Sequence, residues 1–284
     1  MEGNCLIVPA QTEQIGMLDK VIELARGVGD NVVMPHYLKV ARQRKHDGTA
    51  LTEADLAAQA ALEVGLKAIL DCPMVGEEMA ASEQQQNWAI GDAGLWCVDP
   101  VDGTSNFIAG LPQFAVCIAY MQHGKPILGV VYAPVLNELF YAQKGKGAYL
   151  LSAAGKMKLP HTRITGNETM LLQEAIAEVD FKRLPKKLAL ALAGEQPFQA
   201  QRNYGAASLD WCYLAAGRFE VYLHGGQKLW DYAAACLILE EAGGYMRTLE
   251  SEDFWTGDVW HKSIIAAGNA ELFREWSAWV EEHR

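Results

Sequence analysis

The chain has 284 residues, 50% hydrophobic and 21% charged, a globular composition that excludes a disordered or collagen-like chain. Its net charge of −11 repels nucleic acid and anionic lipid, so neither direct nucleic-acid binding nor membrane association is expected. No apolar run approaches the roughly 18 residues that span a bilayer. The start Met-Glu-Gly, followed by the short apolar stretch Cys5 to Ala10, lacks the basic opening and long apolar core of a secretory signal. Cys5, Cys72, Cys97, Cys117, Cys212 and Cys236 form no CxxC pair, and most of them read as buried small hydrophobes. A cytoplasmic protein is the expectation.

In chain order, Ile15, Leu18, Ile22 and Ala25 recur at helical steps and predict an amphipathic first helix. A second helix opens at Thr52. Asp55, three residues on, forms a capping pair with it, and Leu62, Leu66, Ile69 and Leu70 share one face. From Leu95 the texture becomes β: 114–120, 127–133, 138–142 and 147–151 are short apolar or alternating runs separated by turn-rich pieces, which predicts an antiparallel meander. Helices follow near 184–193, 207–216, 231–242 and 269–282, with Trp276, Trp279 and Val280 of the last one facing the core. No linker or repeat divides the chain. It reads as one layered α/β domain over 1–284, with an α+β half to about residue 150 and an α/β half over 151–284.

Chemistry concentrates in Trp96 to Phe107. A strand, Leu95 to Val98, runs into two carboxylates, Asp99 and Asp102, with Pro100 fixing a turn between them. A helix starting at Gly103-Thr104 offers unpaired N–H groups to an anion, so a hard cation and a phosphate can lie side by side. Gly76-Glu77-Glu78 places further acids at the end of the strand expected at Met74-Val75, and Asp231 is an N-cap candidate for an almost wholly apolar helix. Such a helix is buried, and a carboxylate at its mouth needs a partner, either a backbone N–H or a metal. There is no P-loop, no HExxH and no evident Ser/His/Asp or Cys/His arrangement.

Gly76-Glu77-Glu78, Asp99-Pro100-Val101-Asp102-Gly103-Thr104-Ser105-Asn106-Phe107 and Trp230-Asp231-Tyr232-Ala233-Ala234 resemble the three defining motifs of the inositol monophosphatase family. Thr52-Glu53-Ala54-Asp55 and Arg202-Asn203-Tyr204-Gly205-Ala206-Ala207 resemble two secondary ones, in the same order over nearly the whole chain. The resemblance implies a five-layered α-β-α-β-α sandwich, of the inositol monophosphatase and fructose bisphosphatase type. It also implies a homodimer and Mg²⁺-dependent, Li⁺-sensitive hydrolysis of a small-molecule phosphomonoester. By it, Glu77, Asp99, Asp102, Asp231 and the Val101 carbonyl hold two or three Mg²⁺ ions, and Gly103 and Thr104 bind phosphate. Asp55, Thr104 and Glu77 act on the attacking water, while Asp102, Ala207, His224 and Asp231 face the substrate.

Oxygen-only ligands suit Mg²⁺, and metal-activated water needs no covalent nucleophile. The chain departs from the inositol enzymes at His224, where they carry a Glu, and Lys45 to Thr49 resembles the nucleotidase and histidinol-phosphatase branches more closely. His224 is expected on a loop, near Lys228, where a protonated ring would suit a leaving group of acceptor or anionic character. Inositol monophosphate, a 3′(2′),5′-bisphosphate nucleotide and histidinol phosphate are the candidate substrates. A protein-interaction role is the alternative of another class, because some bacterial members of the family also bind transcription machinery.

Overall fold

The computed structural model describes residues 11–39, 43–44, 50–160 and 170–284. Cys5, the Lys45 to Thr49 segment and the side chain of Ile15 lie outside the described residues. Helix α1 (Gln11–Val28) is followed by a short strand pair, β1 (Gln43–Arg44) and β2 (Ala50–Leu51), and by α2 (Glu53–Ile69). Met17, Val21, Ala25 and Val28 form the innermost stripe of α1, with Leu18 and Ile22 on its flank. The apolar stripe of a core helix exceeds 100° in width, so of the predicted residues Ala25 lies at its centre and Leu18 and Ile22 at its edge. The capping pair of α2 is present: the Thr52 N–H donates to Asp55 Oδ2 at 2.7 Å and the Ala54 N–H to Thr52 Oγ1 at 3.1 Å.

After β3 (Met74–Gly76) and α3 (Ala81–Ile90) come β4 (Leu95–Asp102) and the short α4 (Thr104–Ala109). The predicted meander is β5 (Ala115–Gln122), β6 (Lys125–Ala133), β7 (Glu138–Gln143) and β8 (Ala148–Ser152), and the structure adds a further strand, β9 (Gly155–Lys158). These join β3 and β4 in a seven-stranded sheet of order β3-β4-β5-β6-β7-β8-β9. The second half adds β10 (Ile176–Asp180), α5 (Lys186–Gly194), β11 (Ala200–Arg202), α6 (Ala207–Ala215) and β12 (Val221–Lys228). It ends with α7 (Leu229–Glu241), β13 (Tyr245–Arg247), β14 (His261–Ala267) and α8 (Ala270–His283). Its sheet has five strands, in the order β11-β10-β12-β14-β13.

Strand alternation sorts side chains into three cores and hence five layers. Val116, Ile118 and Tyr120 of β5 pack with α1 and α2, whereas Ala115, Cys117 and Ala119 face α6 and α7. Tyr222 of β12 joins that middle core, while Val221 and Leu223 face α5 and α8. The α-β-α-β-α arrangement is therefore observed. Helix α7 lies between the two sheets and is buried on every face from Tyr232 to Leu239, as its all-apolar sequence requires. Trp276 and Val280 are fully buried, with Trp279 stacked on Trp276 at 5.7 Å. Cys97, Cys117, Cys212 and Cys236 are buried, Cys72 is half-buried, and all are free thiols. No helix among the described residues is long and apolar enough to cross a membrane.

Candidate active site

The two aspartates sit inside β4, not beyond its end. Instead of turning at Pro100, the strand continues to Asp102, and its ladder with β5 slips: Asp99 pairs with Cys117, but Asp102 pairs with Ala115. Three steps on β4 oppose two on β5, which is a bulge with one extra residue. Pro100 is tolerated there because the broken ladder needs no donor. In a regular strand, residues three apart point to opposite faces. The extra residue reverses the alternation and brings Asp99 and Asp102 onto the same side, towards α7.

Asp231 of α7 completes the group. It stands third in the helix rather than at the N-cap, and its Oδ2 accepts the Lys228 N–H at 2.8 Å. Asp99, Asp102 and Asp231 each offer a carboxylate oxygen within 4.8 Å of the others. Asp99 and Asp102 are buried, and Asp231 is partly exposed. Asp99 Oδ1 accepts the Val101 N–H at 3.0 Å. Glu77, just past β3, donates its N–H to Val98 O at 3.3 Å. It lies outside the tight group, but its charge raises the pKa values of Asp55, Asp102 and Asp231.

Burial pushes Asp102 up to about 6 against the Ser208 hydrogen bonds that lower it, and burial and then Asp102 push Asp231 well above the carboxylate range. Packing like charges this closely is unfavourable without a cation. Oxygen-only donors in this arrangement fit a hard divalent ion.

Next to the carboxylates, Gly103 adopts φ 86, a left-handed conformation that glycine accepts without strain, and caps α4. The helical ladder begins with the Asn106 N–H on Gly103 O at 2.8 Å, so the Gly103 and Thr104 N–H groups stand ahead of it. Thr104 Oγ1 lies 3.2 Å from Asp55 Oδ1 and 3.0 Å from Val101 O, and its single proton serves one of them at a time. Asp55 is fully buried, and burial raises its pKa. It meets the site only through its contact with Thr104 and has no open face for substrate.

Ser208 is a site residue that the sequence reading missed. Its Oγ donates to Asp102 Oδ2 at 2.5 Å and its N–H to the same oxygen at 2.8 Å, while the Ala207 N–H reaches Oδ1 at 3.2 Å. The start of α6 thus grips a metal-ligand candidate. The signal was a serine immediately after Gly-Ala-Ala at a helix start.

These features invite comparison with known proteins. The inositol monophosphatase family profile matches residues 17–282. The chain belongs to that family. It is 34% identical over 262 residues to the Nus factor SuhB of Haemophilus influenzae, covering 88% of this chain and 91% of that one. It is also 34% identical to an inositol-1-monophosphatase of Caulobacter vibrioides, covering 90% of this chain and 96% of that one. The 3′(2′),5′-bisphosphate nucleotidase CysQ of Shigella flexneri matches at 33% identity, over 81% of this chain and 89% of its own. Among solved structures, the Thermotoga maritima IMPase superposes with a TM-score of 0.74 at 30% identity, covering 95% of this chain and 100% of that one. As a family member the protein is a metal-dependent phosphomonoesterase.

His224 departs from its expected setting. It lies on β12, not on a loop, at the bulge between His224 and Gln227. Burial, opposed by Asp180, lowers its pKa to about 4, so the ring is neutral at pH 7 and brings no charge to the site. Lys228 Nζ is engaged elsewhere, with His261 Nε2 at 2.5 Å. Gly225 is glycine because a Cβ there would collide with the Arg183 and Leu184 backbone, which crosses the bulge.

Proposed function

We propose that the chain hydrolyses a phosphomonoester of a small soluble metabolite with Mg²⁺, two or three ions per site, held by Glu77, Asp99, Asp102, Asp231 and the Val101 carbonyl. The convergence of Asp99, Asp102 and Asp231 within 4.8 Å, beside the start of α4, carries this reading. When bound, the ions neutralise the phosphoryl oxygens and lower the pKa of the attacking water.

The protein's own groups do the rest. Gly103 and Thr104 donate N–H groups that orient the phosphate. Thr104, with its proton turned to Asp55, leaves a lone pair to accept a hydrogen bond from the attacking water. Glu77 takes the water's proton from the rim of the cluster. With that proton on Asp55, the Val101 carbonyl, 3.0 Å from Thr104 Oγ1, keeps its lone pairs for a cation. Asp102, Ala207, His224 and Asp231 line the side where the alcohol leaves. Inositol monophosphate, a bisphosphate nucleotide and histidinol phosphate remain the substrate candidates. The relatives named inositol-1-monophosphatase and bisphosphate nucleotidase support the first two. A single-domain, cytoplasmic homodimer completes the reading.

The test is a phosphate-release screen over these esters with Mg²⁺ and with chelator, together with Asp99→Asn. That variant should fold and lose turnover by orders of magnitude. Activity within about threefold of wild type at saturating Mg²⁺ would refute the assignment. The relatives named Nus factor SuhB favour a second reading, a protein-interaction role. Complementation of a deletion strain by Asp99→Asn separates the two, since an interaction role survives the loss of turnover.

A further inference from the structure

A second group of carboxyls lies beside the metal cluster. Strand β10 is parallel to both its neighbours, β11 and β12, and ends at Asp180. Ligands of open α/β sheets gather beyond the carboxyl ends of such strands. Register pairs Glu178 with Tyr222 and Asp180 with His224, so these four side chains leave the sheet on one face. Trp211 of α6 packs edge-on against Tyr222 at 5.6 Å, which makes this the face covered by α6, the helix that grips Asp102. Asp210, next to Trp211, lies in the field of Glu178, Asp102 and Asp180. Arg183 ties this end of β10 to the metal cluster: its Nη1 donates to Gly226 O at 3.0 Å, and its charge acts on Asp231.

The carboxyls here are short of partners. Glu178 and Asp210 are 0% and 2% exposed, and both oxygens of Glu178 and Oδ1 of Asp210 have no hydrogen-bond partner. The Tyr204 N–H favours the charge on Glu178 but is outside hydrogen-bonding geometry. Asp180 stands at the strand end in front of them. Its Oδ1 accepts the Lys182 N–H at 2.7 Å. Its Oδ2 has only long contacts, His224 Nε2 at 3.6 Å and Lys182 Nζ at 4.0 Å, the latter on a side chain 82% exposed to solvent.

His224 does not neutralise it. The Gly226 N–H donates to His224 Nδ1 at 3.0 Å, which leaves the proton of the neutral ring on Nε2. That Nε2–H faces Asp180 Oδ2 across 3.6 Å, too long for a hydrogen bond, so this oxygen of the buried Asp180 keeps acceptor capacity. Among the described residues the carboxylates close enough together to share a metal ion are Asp99, Asp102 and Asp231, so this wall is too spread for one. An ammonium group has three donors, can serve several carboxyl oxygens at once and tolerates wider spacing. A second phosphate would meet like charge instead.

We propose that Asp180, backed by Glu178 and Asp210, binds an ammonium group on the alcohol portion of the substrate, so that the enzyme selects amino-alcohol or amino-sugar phosphates over their hydroxyl counterparts. This rests on the phosphomonoesterase reading of the adjoining site. The test compares kcat/KM for two matched pairs: glucosamine 6-phosphate against glucose 6-phosphate, and 2-aminoethyl phosphate against 2-hydroxyethyl phosphate. p-Nitrophenyl phosphate serves as an ester without either handle.

The wild type should prefer the amino member of at least one pair by about 10-fold or more, and Asp180→Asn should bring that ratio to within about twofold. N-acetylglucosamine 6-phosphate removes the charge from the ligand instead, and should lose the preference on the unmodified protein even if the variant does not fold. Ratios within about twofold in both pairs, or a preference that survives N-acetylation, overturn the proposal. Hydrolysis of p-nitrophenyl phosphate alongside such ratios leaves the phosphatase reading intact. Failure on every ester with Mg²⁺ counts against that reading instead.

Discussion

Replacing Ser208 with alanine removes one hydroxyl from the grip on Asp102 and leaves the two backbone donors in place. The lost bond is the shortest of the three, 2.5 Å to Oδ2, against 2.8 Å from the Ser208 N–H and 3.2 Å from the Ala207 N–H. The same hydroxyl accepts the Cys117 thiol at 3.1 Å, so its proton is committed to Asp102. Ser208 is fully buried, and no solvent replaces the missing donor. A hydrogen bond to a charged group contributes about 1.5–3 kcal/mol, or about 10- to 150-fold in an equilibrium. Loss of an outer-shell partner typically weakens metal binding by about 10–100-fold, which agrees. Ser208→Ala should therefore raise the Mg²⁺ concentration for half-saturation by about 10–100-fold, with most of kcat recovered at saturating metal. Isothermal titration with Mg²⁺ and the Mg²⁺ dependence of the rate both read this. Half-saturation within about twofold of wild type in both assays would show that Ser208 does not hold Asp102 in its ligating position.

Two further outcomes follow from the same structure, and a third, on Li⁺, from the family resemblance. Burial lifts Glu178 to about 9 from its ordinary 4.5, so the folded state retains a proton that the unfolded chain releases, and the resulting loss of stability grows as pH rises from 4.5 towards 9. Glu178→Gln should add up to about 3 kcal/mol at pH 7 and little near pH 4.5; equal shifts in urea melts at the two pH values would refute this. Gly225→Ala should cost about 1–3 kcal/mol, because the colliding atoms are backbone, and lower Tm by several degrees; an unchanged Tm would mean that the bulge moves freely. Millimolar Li⁺ should inhibit phosphate release at subsaturating Mg²⁺; a rate independent of Li⁺ would mean that one metal position is altered.

What the sequence alone determined was local in origin. The Thr52/Asp55 capping box needs only residues three apart, and it forms with the expected bond at 2.7 Å. The meander from β5 to β8 was legible because alternation and turn residues act over a few positions. The acidic motifs announced themselves because each lies where one element ends and the next begins. Tertiary structure decided how these pieces converge. A strand continuing through Pro100 was not legible, since only the slipped pairing with β5 makes room for it and turns Asp99 and Asp102 to one side. His224 reads as a loop residue until β12 pairs with β10 and β14 on either side of it. Glu178, Asp180 and Asp210 carry no local pattern: parallel pairing of β10 with β12 and the packing of α6 bring together residues up to 32 positions apart in the chain. Burial, which sets their charge, arises only when both sheets and the helices between them have closed.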